Sequence, residues 1–342
     1  MSVTIKQIAA LANVSIGTVD RVLHNRPGVR PEKREEIERI AGELGYQPNI
    51  PAKALAFRKK PVTIGVIVYE HYHPYAETII KGIKAAEKEL KDFGVKVEIL
   101  SMNEHLATEQ IKILDLLIKQ GVSGIIIRPI DDPIICDKIN EATNAGIPVI
   151  TYNSDIDNSN RLCFIGQNLY KSGEVAAELL GKIMNKTGKV AILTGFLKVK
   201  AHNERIKGFV DVMSTYYPNI QIIDTIETLE DATTTYNKVI RLLETNKDLK
   251  GLYATAGCFE QMGQAIKNMG KEHQISFSGY DLYPEVIQLV NEGIMDFSIA
   301  QDLFSQGYEP IKIIFDLIFK NKRPKEEFIY TKIDIRVRWN IK

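Results

Sequence analysis

Side chains able to bind a small polar molecule follow several apolar segments of the chain. The aromatic and imidazole cluster at residues 69–75, Asn153 and Asp281 each come directly after such a segment. Aromatic rings stack on sugar rings, an amide both donates and accepts hydrogen bonds, and a carboxylate accepts them from hydroxyl groups. The chemistry indicated is recognition of a hydroxyl-rich molecule.

Motifs for catalysis, metals and cofactors are not found in the sequence. The glycines form neither Gly-x-Gly-x-x-Gly nor a phosphate-binding loop, and no Gly-x-Ser-x-Gly motif occurs. His71 and His73 are two residues apart without a neighbouring cysteine or acid cluster, which is a weak pattern for a metal site. Cys136, Cys163 and Cys258 are far apart and indicate neither a disulfide framework nor a zinc site. We therefore expect no enzyme activity, no cofactor and no metal.

The apolar segments alternate with helical patterns along most of the chain. Residues 62–68 form a β-branched run typical of a strand buried in a parallel sheet, and a helix at about 76–93 separates it from a strand at 96–100. Further strands are predicted at residues 124–128, 149–152, 190–194, 221–225, 251–255 and 275–280. This order predicts an α/β fold with two doubly wound parallel-sheet lobes. Polar side chains at the carboxyl ends of the strands would then share one cleft.

The first 45 residues carry the caps and spacings of three short helices, which would form a small all-α N-terminal domain. Thr4 and Gln7 form a capping-box pattern, and Ser15 can cap a second helix. Pro31 and Gly45 are suited to begin and end a third helix. The apolar residues expected to form the core of this head are Ile5, Ile8, Ala9, Ala12, Val19, Val22, Leu23, Ile37, Ile40, Ala41 and Leu44.

The second helix has an open face near its start, where a helix-turn-helix contacts the DNA major groove. This face carries Ile16, Gly17, Thr18 and Arg21. Residues 1–60 contain eleven Lys or Arg and six Asp or Glu, a net charge of +5, and the remainder carries −4. A positive head on a mildly negative body fits neutralisation of DNA phosphates by the head. The sequence therefore predicts a DNA-binding head.

The order of these features resembles the LacI/GalR family of transcription regulators along nearly the whole chain. The resemblance implies a homodimer whose second helices enter successive major grooves of a near-palindromic operator, with paired hinge helices in the central minor groove. It implies a helix-turn-helix domain at residues 1–47, a hinge helix and linker at 48–60, and an effector-binding domain at 61–342. The first lobe is expected at about 61–162 and 294–322 and the second at about 163–293 and 323–342, with crossovers near Cys163, Gly293 and Lys322.

The resemblance also assigns DNA contacts to individual residues. The set is Thr4, Ser15, Ile16, Gly17, Thr18, Arg21, His24, Asn25, Lys53 and Leu55. Leu55 matches the leucine that enters between base pairs and kinks the duplex, and an ordinary apolar linker residue is the alternative. Arg21 is the best candidate to contact a base, and its donors match guanine; a phosphate contact is the alternative. Asp20 departs from the small polar residue of the family and should lower non-specific affinity.

Effector contacts follow from the resemblance in the same way. They fall on His73, Tyr75, Asn153, Arg205, Phe259, Asp281 and Gln301. The alternatives are a surface ion pair for Arg205, a turn or helix cap for Asp281, and a solvated side chain for Gln301. Where the family places Asn-Asp, this chain has Ala-Gly-Cys-Phe at residues 256–259, so Phe259 would offer apolar surface instead. An acid, amides, an arginine and aromatic rings together favour a carbohydrate over a nucleobase.

The function implied is a repressor that a small carbohydrate effector releases from its DNA operator. A sugar-binding protein of the periplasmic type without specific DNA binding is the alternative, since it shares the two lobes. The N-terminal residues contain no apolar signal segment, and no run approaches eighteen apolar residues. We therefore expect a cytoplasmic protein without membrane contact. The lack of a heptad repeat after Trp339 favours a dimer.

Overall fold

The computed structural model describes residues 3–23, 27–46, 61–69 and 73–341, with the backbone alone for His73 and Pro74. The expected hinge helix at residues 48–60 lies outside this part of the chain. Four of the expected DNA contacts also lie outside it: His24, Asn25, Lys53 and Leu55.

Three helices form the head, α1 (Ile5–Leu11), α2 (Ile16–Leu23) and α3 (Pro31–Glu43). The capping box is formed, because the Thr4 hydroxyl accepts from the Gln7 N–H while the Gln7 side chain accepts from the Thr4 N–H. The Ser15 hydroxyl accepts from the Thr18 N–H at 3.1 Å, as the second predicted cap requires.

The end of α3 differs from the prediction. Leu44, expected in the core of the head, is 37% exposed, and Tyr46 packs against that core instead. Gly45 has a φ of 64°, and the Tyr46 N–H donates to the Ala41 carbonyl at 2.9 Å. The left-handed glycine therefore turns the chain back towards the core and leaves Leu44 on the outer side.

Two six-stranded sheets follow the head. The first contains β1 (Val62–Tyr69), β2 (Val95–Met102), β3 (Gly124–Ile127), β4 (Val149–Tyr152), β5 (Cys163–Gln167) and β11 (Phe328–Thr331), in the order β11-β5-β4-β3-β1-β2. The second contains β6 (Gly188–Thr194), β7 (Ile220–Glu227), β8 (Leu249–Ala254), β9 (Ser276–Tyr280), β10 (Phe297–Ala300) and β12 (Asp334–Arg336), in the order β12-β10-β9-β8-β6-β7. The pairing of β10 with β12 is antiparallel, and the other pairs are parallel. The expected class, two parallel-sheet α/β lobes with a small helical head, is confirmed.

Nine further helices cover the sheets. They are α4 (His73–Leu90), α5 (Ala107–Gln120), α6 (Pro133–Asn144), α7 (Leu169–Ile183), α8 (Lys200–Tyr216), α9 (Ala232–Thr245), α10 (Phe259–Asn268), α11 (Pro284–Glu292) and α12 (Leu303–Lys320), all within the described residues. A short 3₁₀ turn, Lys91–Phe93, follows α4. None of the helices in the described part of the chain is both long and apolar enough to span a membrane.

The chain passes between the lobes after β5, after β10 and after β11. The lobe boundaries expected near Cys163, Gly293 and Lys322 lie too early in the sequence. At each of these positions the chain still forms one more strand of the same lobe before it crosses to the other lobe. β5 pairs with β4, β10 pairs with β9, and β11 pairs with β5. The first lobe therefore includes residues 163–167 and 328–331, and the second includes residues 297–300.

Candidate functional site

The head presents an exposed face at the start of α2. Val19 and Val22 are buried against α1 and α3, whereas Ser15, Gly17 and Arg21 are exposed. The apolar side chain of Ile16 is 53% exposed at the same position. These side chains are free to meet a partner surface, and their position matches the part of a recognition helix that enters the major groove.

Two other predicted DNA contacts have structural roles in the head. Thr4 is exposed and caps α1, while Thr18 is half-buried and its hydroxyl lies 2.9 Å from the Ser15 hydroxyl. Both hydroxyls still lie at the surface near a helix N-terminus, where a phosphate can be bound.

A small cavity of about 40 Å³ lies between the two lobes. It is lined by Tyr69, Tyr75, Arg128, Asn153, His202, Arg205, Glu230, Ala256, Gly257, Asp281, Tyr283 and Gln301. Five residues selected from the sequence therefore come together here: Tyr75, Asn153, Arg205, Asp281 and Gln301. His73 begins α4 beside the cavity, and its side chain lies outside the described part of the structure.

Asn153 and Asp281 occupy corresponding positions in the two lobes. Each follows a strand, β4 or β9, and each has a left-handed backbone, with φ of 62° and 71°. The Asn153 N–H donates to the Ile165 carbonyl and the Asp281 N–H to the Ile299 carbonyl, both at 3.0 Å. Backbone strain of this kind persists only where the surroundings fix it. Both polar side chains are thereby held in the cavity.

Gln301 connects the polar side chains of the two lobes. Its amide oxygen accepts from Asn153 Nδ2 and from Arg205 Nη2, each at 3.1 Å. Its amide nitrogen donates to Asp281 Oδ1 at 2.7 Å. Asn153 Nδ2 also donates to Gln306 Oε1 at 3.0 Å. With 3% of its surface exposed, Gln301 is not the solvated glutamine of the alternative interpretation.

Arg205 is buried beneath this network. Its Nη1 donates to the Thr255 carbonyl at 2.8 Å, and its guanidinium carbon lies 3.7 Å from the centre of the Tyr280 ring. Only 4% of the residue is exposed, which excludes a surface ion pair. The stacked guanidinium is positioned to donate to a ligand between the lobes.

Asp281 accepts a second hydrogen bond, from the Tyr283 hydroxyl to Oδ2 at 2.8 Å. Burial raises the pKa of Asp281, and the nearby Arg205 guanidinium and the hydrogen bonds from Gln301 and Tyr283 partly offset that shift. Each carboxylate oxygen can accept a further bond, so the group remains able to receive ligand hydroxyls.

The cavity lining also contains residues that the sequence reasoning missed. Arg128 follows β3, the buried His202 lies on α8, and Glu230 lies on the second lobe with Oε1 3.9 Å from His202 Nε2. Burial holds the pKa of His202 well below its usual range, so its ring is neutral. Arg128 carries the signal that identified Asn153 and Asp281, a polar residue directly after a buried strand.

The expected role of Phe259 is not supported. Phe259 is fully buried and lies in the core of the second lobe, where its ring occupies the space beside Gly279. Ala256 and Gly257 line the cavity in its place. Cys258 has a φ of 55°, and this turn precedes α10, which begins at Phe259. The ring is consequently a packing residue of the second lobe.

Several contacts join the two lobes directly. Lys200 forms an ion pair with Asp157, and the Ala201 N–H donates to the Ser154 hydroxyl at 3.3 Å. The rings of His105 and Phe196 stack with centroids 4.9 Å apart. Because each pair joins one lobe to the other, the structure describes a closed cleft.

The head and the lobes match two different protein families. Residues 64–322 match the family model of a periplasmic binding protein domain, and residues 4–49 match the model of bacterial regulatory proteins, lacI family. The ribose operon repressor of Lactococcus lactis is 25% identical, over 92% of this chain and 90% of its own length. The xylose/arabinose-binding protein XylF of Sulfolobus acidocaldarius is 28% identical, over 61% of this chain and 55% of its own length.

A solved structure is similar to the two lobes. The sugar-binding protein of a sugar ABC transporter from Bacillus halodurans is 27% identical, with a TM-score of 0.73, and the match covers 82% of this chain and 98% of that one. The lobes are thus similar to proteins that bind solutes, and the head adds a separate module.

Proposed function

We propose that this chain, which belongs to the lacI family of bacterial regulatory proteins and carries a periplasmic binding protein domain, is a transcriptional repressor controlled by a carbohydrate. The observation that carries the proposal is the presence, in one chain, of a helix-turn-helix head and a polar cleft between two lobes. The printed names of similar proteins, a ribose operon repressor and sugar-binding proteins, support both halves. This family is regulatory and ligand-binding rather than catalytic.

The proposed DNA complex is a homodimer on a near-palindromic operator. In it, α2 enters the major groove with Ile16, Gly17 and Arg21 towards the bases, and residues 48–60 bind the minor groove. Arg21 supplies the donors that suit guanine, and the exposed Ile16 suits contact with a thymine methyl group. Because such a protein acts on genomic DNA, we place it in the cytoplasm.

The proposed carbohydrate site is the network around Gln301. Asp281 accepts from ligand hydroxyls, Arg205 donates to ligand oxygens, and Asn153 offers both kinds of bond. Tyr75, 6% exposed, closes one wall of the cavity with its ring. This mixture of acceptors, donors and an aromatic wall is suited to hydroxyl groups on a small ring.

The proposed control is by linkage between cleft closure and DNA binding. A carbohydrate that binds one lobe arrangement more tightly than the other shifts the population towards that arrangement. The shift in free energy is at most the difference between its binding free energies for the two arrangements. In a dimer, the lobe angle sets the spacing of the two hinge segments. A spacing change that costs several kcal/mol of operator affinity lowers that affinity by a factor of hundreds or more, at about 1.4 kcal/mol per tenfold. We expect the effector to release the DNA.

Affinity sequencing of fragmented genomic DNA tests the proposal. The full chain at near-physiological salt should enrich a near-palindromic site of about two helical turns. A truncation lacking residues 1–60 should enrich nothing. Arg21→Ala should lose the enrichment, while Arg39→Ala, an exposed arginine paired with Glu43 on α3, should retain it.

Absence of enrichment by the full chain, with sugar binding intact, would favour the alternative, a sugar-binding protein without specific DNA binding. An effector that tightens the operator complex would reverse the sign of control and leave the repressor class intact.

A further inference from the structure

Three buried nitrogen atoms in and beside the cleft have no hydrogen-bond partner among the described residues. They are Nε of Arg128, Nε of Arg205 and Nε2 of His105. A buried donor without a partner costs free energy, and such groups in a ligand cavity indicate bonds that the ligand completes. Arg205 already belongs to the carbohydrate network, so Arg128 is the further cavity residue with an unused donor.

Arg128 differs from Arg161, the other partly buried arginine of the first lobe. Arg161 forms ion pairs with Asp155 and Glu327, with nitrogen–oxygen distances of 2.5 and 2.9 Å. The Arg128 guanidinium has no hydrogen bond or ion pair within the described ranges, and it lies 5.7 and 5.4 Å from the ring centres of Tyr69 and Tyr75. Arg161 therefore serves the fold, whereas the guanidinium of Arg128 is held by aromatic faces at the cavity wall.

The aromatic groups beside Arg128 are uncharged. The Tyr69 and His105 rings pack edge to face with centroids 5.4 Å apart. Burial and the Arg128 charge lower the pKa of His105 to about 3, so its ring is neutral and carries one N–H. Burial raises the pKa of Tyr75, so its hydroxyl keeps its proton. The guanidinium of Arg128 is a fixed positive charge with donors in a planar fork, which suits a carboxylate or phosphate better than a neutral hydroxyl.

We propose that the effector is a monosaccharide derivative carrying a carboxylate or phosphate, with its anionic group bound by Arg128 and its hydroxyls bound around Gln301. This inference rests on the proposed carbohydrate site. Arg128 and the residues around Gln301 line the same cavity, so one sugar derivative can contact both. Glu230 of the second lobe also lines the cavity, and its negative charge opposes binding of an anion, so it gives a second, independent variant.

Calorimetric titration of the full-length protein tests the proposal with chemically matched sugars. The carboxylate arm uses D-glucuronate and D-galacturonate, and the phosphate arm uses D-glucose 6-phosphate and D-ribose 5-phosphate. The neutral parents are D-glucose, D-galactose and D-ribose. At least one acid should bind about tenfold or more tightly than its parent, and the arm in which it falls identifies the anionic group. Equal or tighter binding of the parents, or binding of none of the acids, would overturn the proposal.

Variants locate the effect in the cleft. Arg128→Gln should remove the preference for the acid over its parent, and Arg128→Lys should retain part of it. Glu230→Gln should tighten binding of the acid more than binding of its parent. Arg241→Gln removes an exposed arginine on α9 and should change neither affinity. If the folded Arg128→Gln variant still prefers the acid to the same extent, the assignment to Arg128 is wrong. Where a variant does not fold, the titrations of the unaltered protein still test whether the effector is anionic.

The experiments can reject the proposed repressor function and the proposed anionic effector independently of each other. Enrichment of a DNA site together with binding of neutral sugars alone would keep the repressor and reject the anionic effector. Binding of an acid without enrichment of any DNA site would do the reverse.

Discussion

At the scale of single residues, Asn153 is the first-lobe member of the cleft network with the most direct bonds to its neighbours. Its Nδ2 donates to two glutamine oxygens, those of Gln301 and Gln306. An amide can supply both bonds, whereas a carboxylate at this position has no donor at neutral pH. The pattern explains why an amide, and not an acid, fits between two accepting glutamines.

Asn153→Asp should therefore destabilise the closed domain. Loss of two donated bonds inside the cleft, with acceptors left facing one another, is expected to cost about 1–3 kcal/mol of the free energy of unfolding. Urea denaturation at pH 7 measures it. Asn268→Asp is the control, because Asn268 donates a single exposed bond to the Tyr236 hydroxyl. Equal losses in the two variants would contradict the role given to Asn153.

His105 makes stability depend on pH in a defined direction. Its pKa is lowered from about 6.5 to about 3 in the folded protein, so the unfolded chain takes up the proton first as pH falls. The stability contributed by the neutral ring is complete above pH 6.5 and declines below it, by about 1.4 kcal/mol at pH 5.5. His105→Phe keeps a ring against Phe196 and should lose less stability between pH 7.5 and 5.5 than the unaltered protein. Identical losses in thermal or urea denaturation would argue against it.

At the scale of elements, each lobe contains one pair of helices that approach each other at glycines. A Cβ at Gly208 of α8 would lie 2.0 Å from the Tyr170 carbonyl oxygen on α7, and one at Gly307 of α12 would lie 2.2 Å from the Ile79 carbonyl oxygen on α4. Since α8 also carries Arg205, the close approach in the second lobe determines how far that guanidinium reaches into the cleft.

Gly208→Ala should separate α7 from α8. We expect a loss of about 1–3 kcal/mol in the free energy of unfolding, because backbone atoms must move to admit the methyl group. Sugar affinity should fall with it as Arg205 shifts. Gly42→Ala, on α3 with nothing within 4 Å of its Cβ position, should be neutral or slightly stabilising. Chemical denaturation and sugar titration of both variants test the contrast.

The elements of the fold were largely predictable, because their signals are local. Thr4 and Ser15 cap α1 and α2 as their types indicate, and the β-branched run at residues 62–68 forms β1. Lobe membership is not local: β5, β10 and β11 are short, and only pairing with strands distant in sequence assigns them to a sheet. The prediction that Leu44 lies in the core was wrong for a related reason, because the turn at Gly45 determines which apolar residue packs inward.

The cleft was predictable only in part. Residues that directly follow strands, such as Asn153 and Asp281, were found because parallel strands share one carboxyl edge. Arg128 satisfies the same rule and was passed over, since it was included in the strand that precedes it. Glu230 and His202 come from a loop and a helix that reach the cavity through the packing of the second lobe. No spacing in the sequence places Phe259 inside the core rather than at the cleft.

At the scale of the whole molecule, charge divides the head from the lobes. Residues 1–60 carry a net +5 and the remainder −4. Operator affinity should therefore fall as salt rises, by at least about tenfold between 50 and 200 mM salt, because bound phosphates release counterions. Fluorescence anisotropy with an operator found by the sequencing experiment measures the slope. Sugar affinity should change little over the same range, and a salt-independent operator complex would contradict electrostatic binding by the head.

The closed cleft has a consequence for the range of sugar concentrations that the protein can sense. Gln301 forms hydrogen bonds with Asn153, Arg205 and Asp281 in the cleft. A ligand that enters the network must replace these internal hydrogen bonds with its own. Its binding free energy is therefore the difference between the bonds that it forms and the bonds of similar strength that it breaks. A molecule that matches only some of the positions recovers less than it displaces. Such a site is occupied only when the matching sugar is abundant. Sugars that are scarce, or that match only some of the positions, leave it unoccupied.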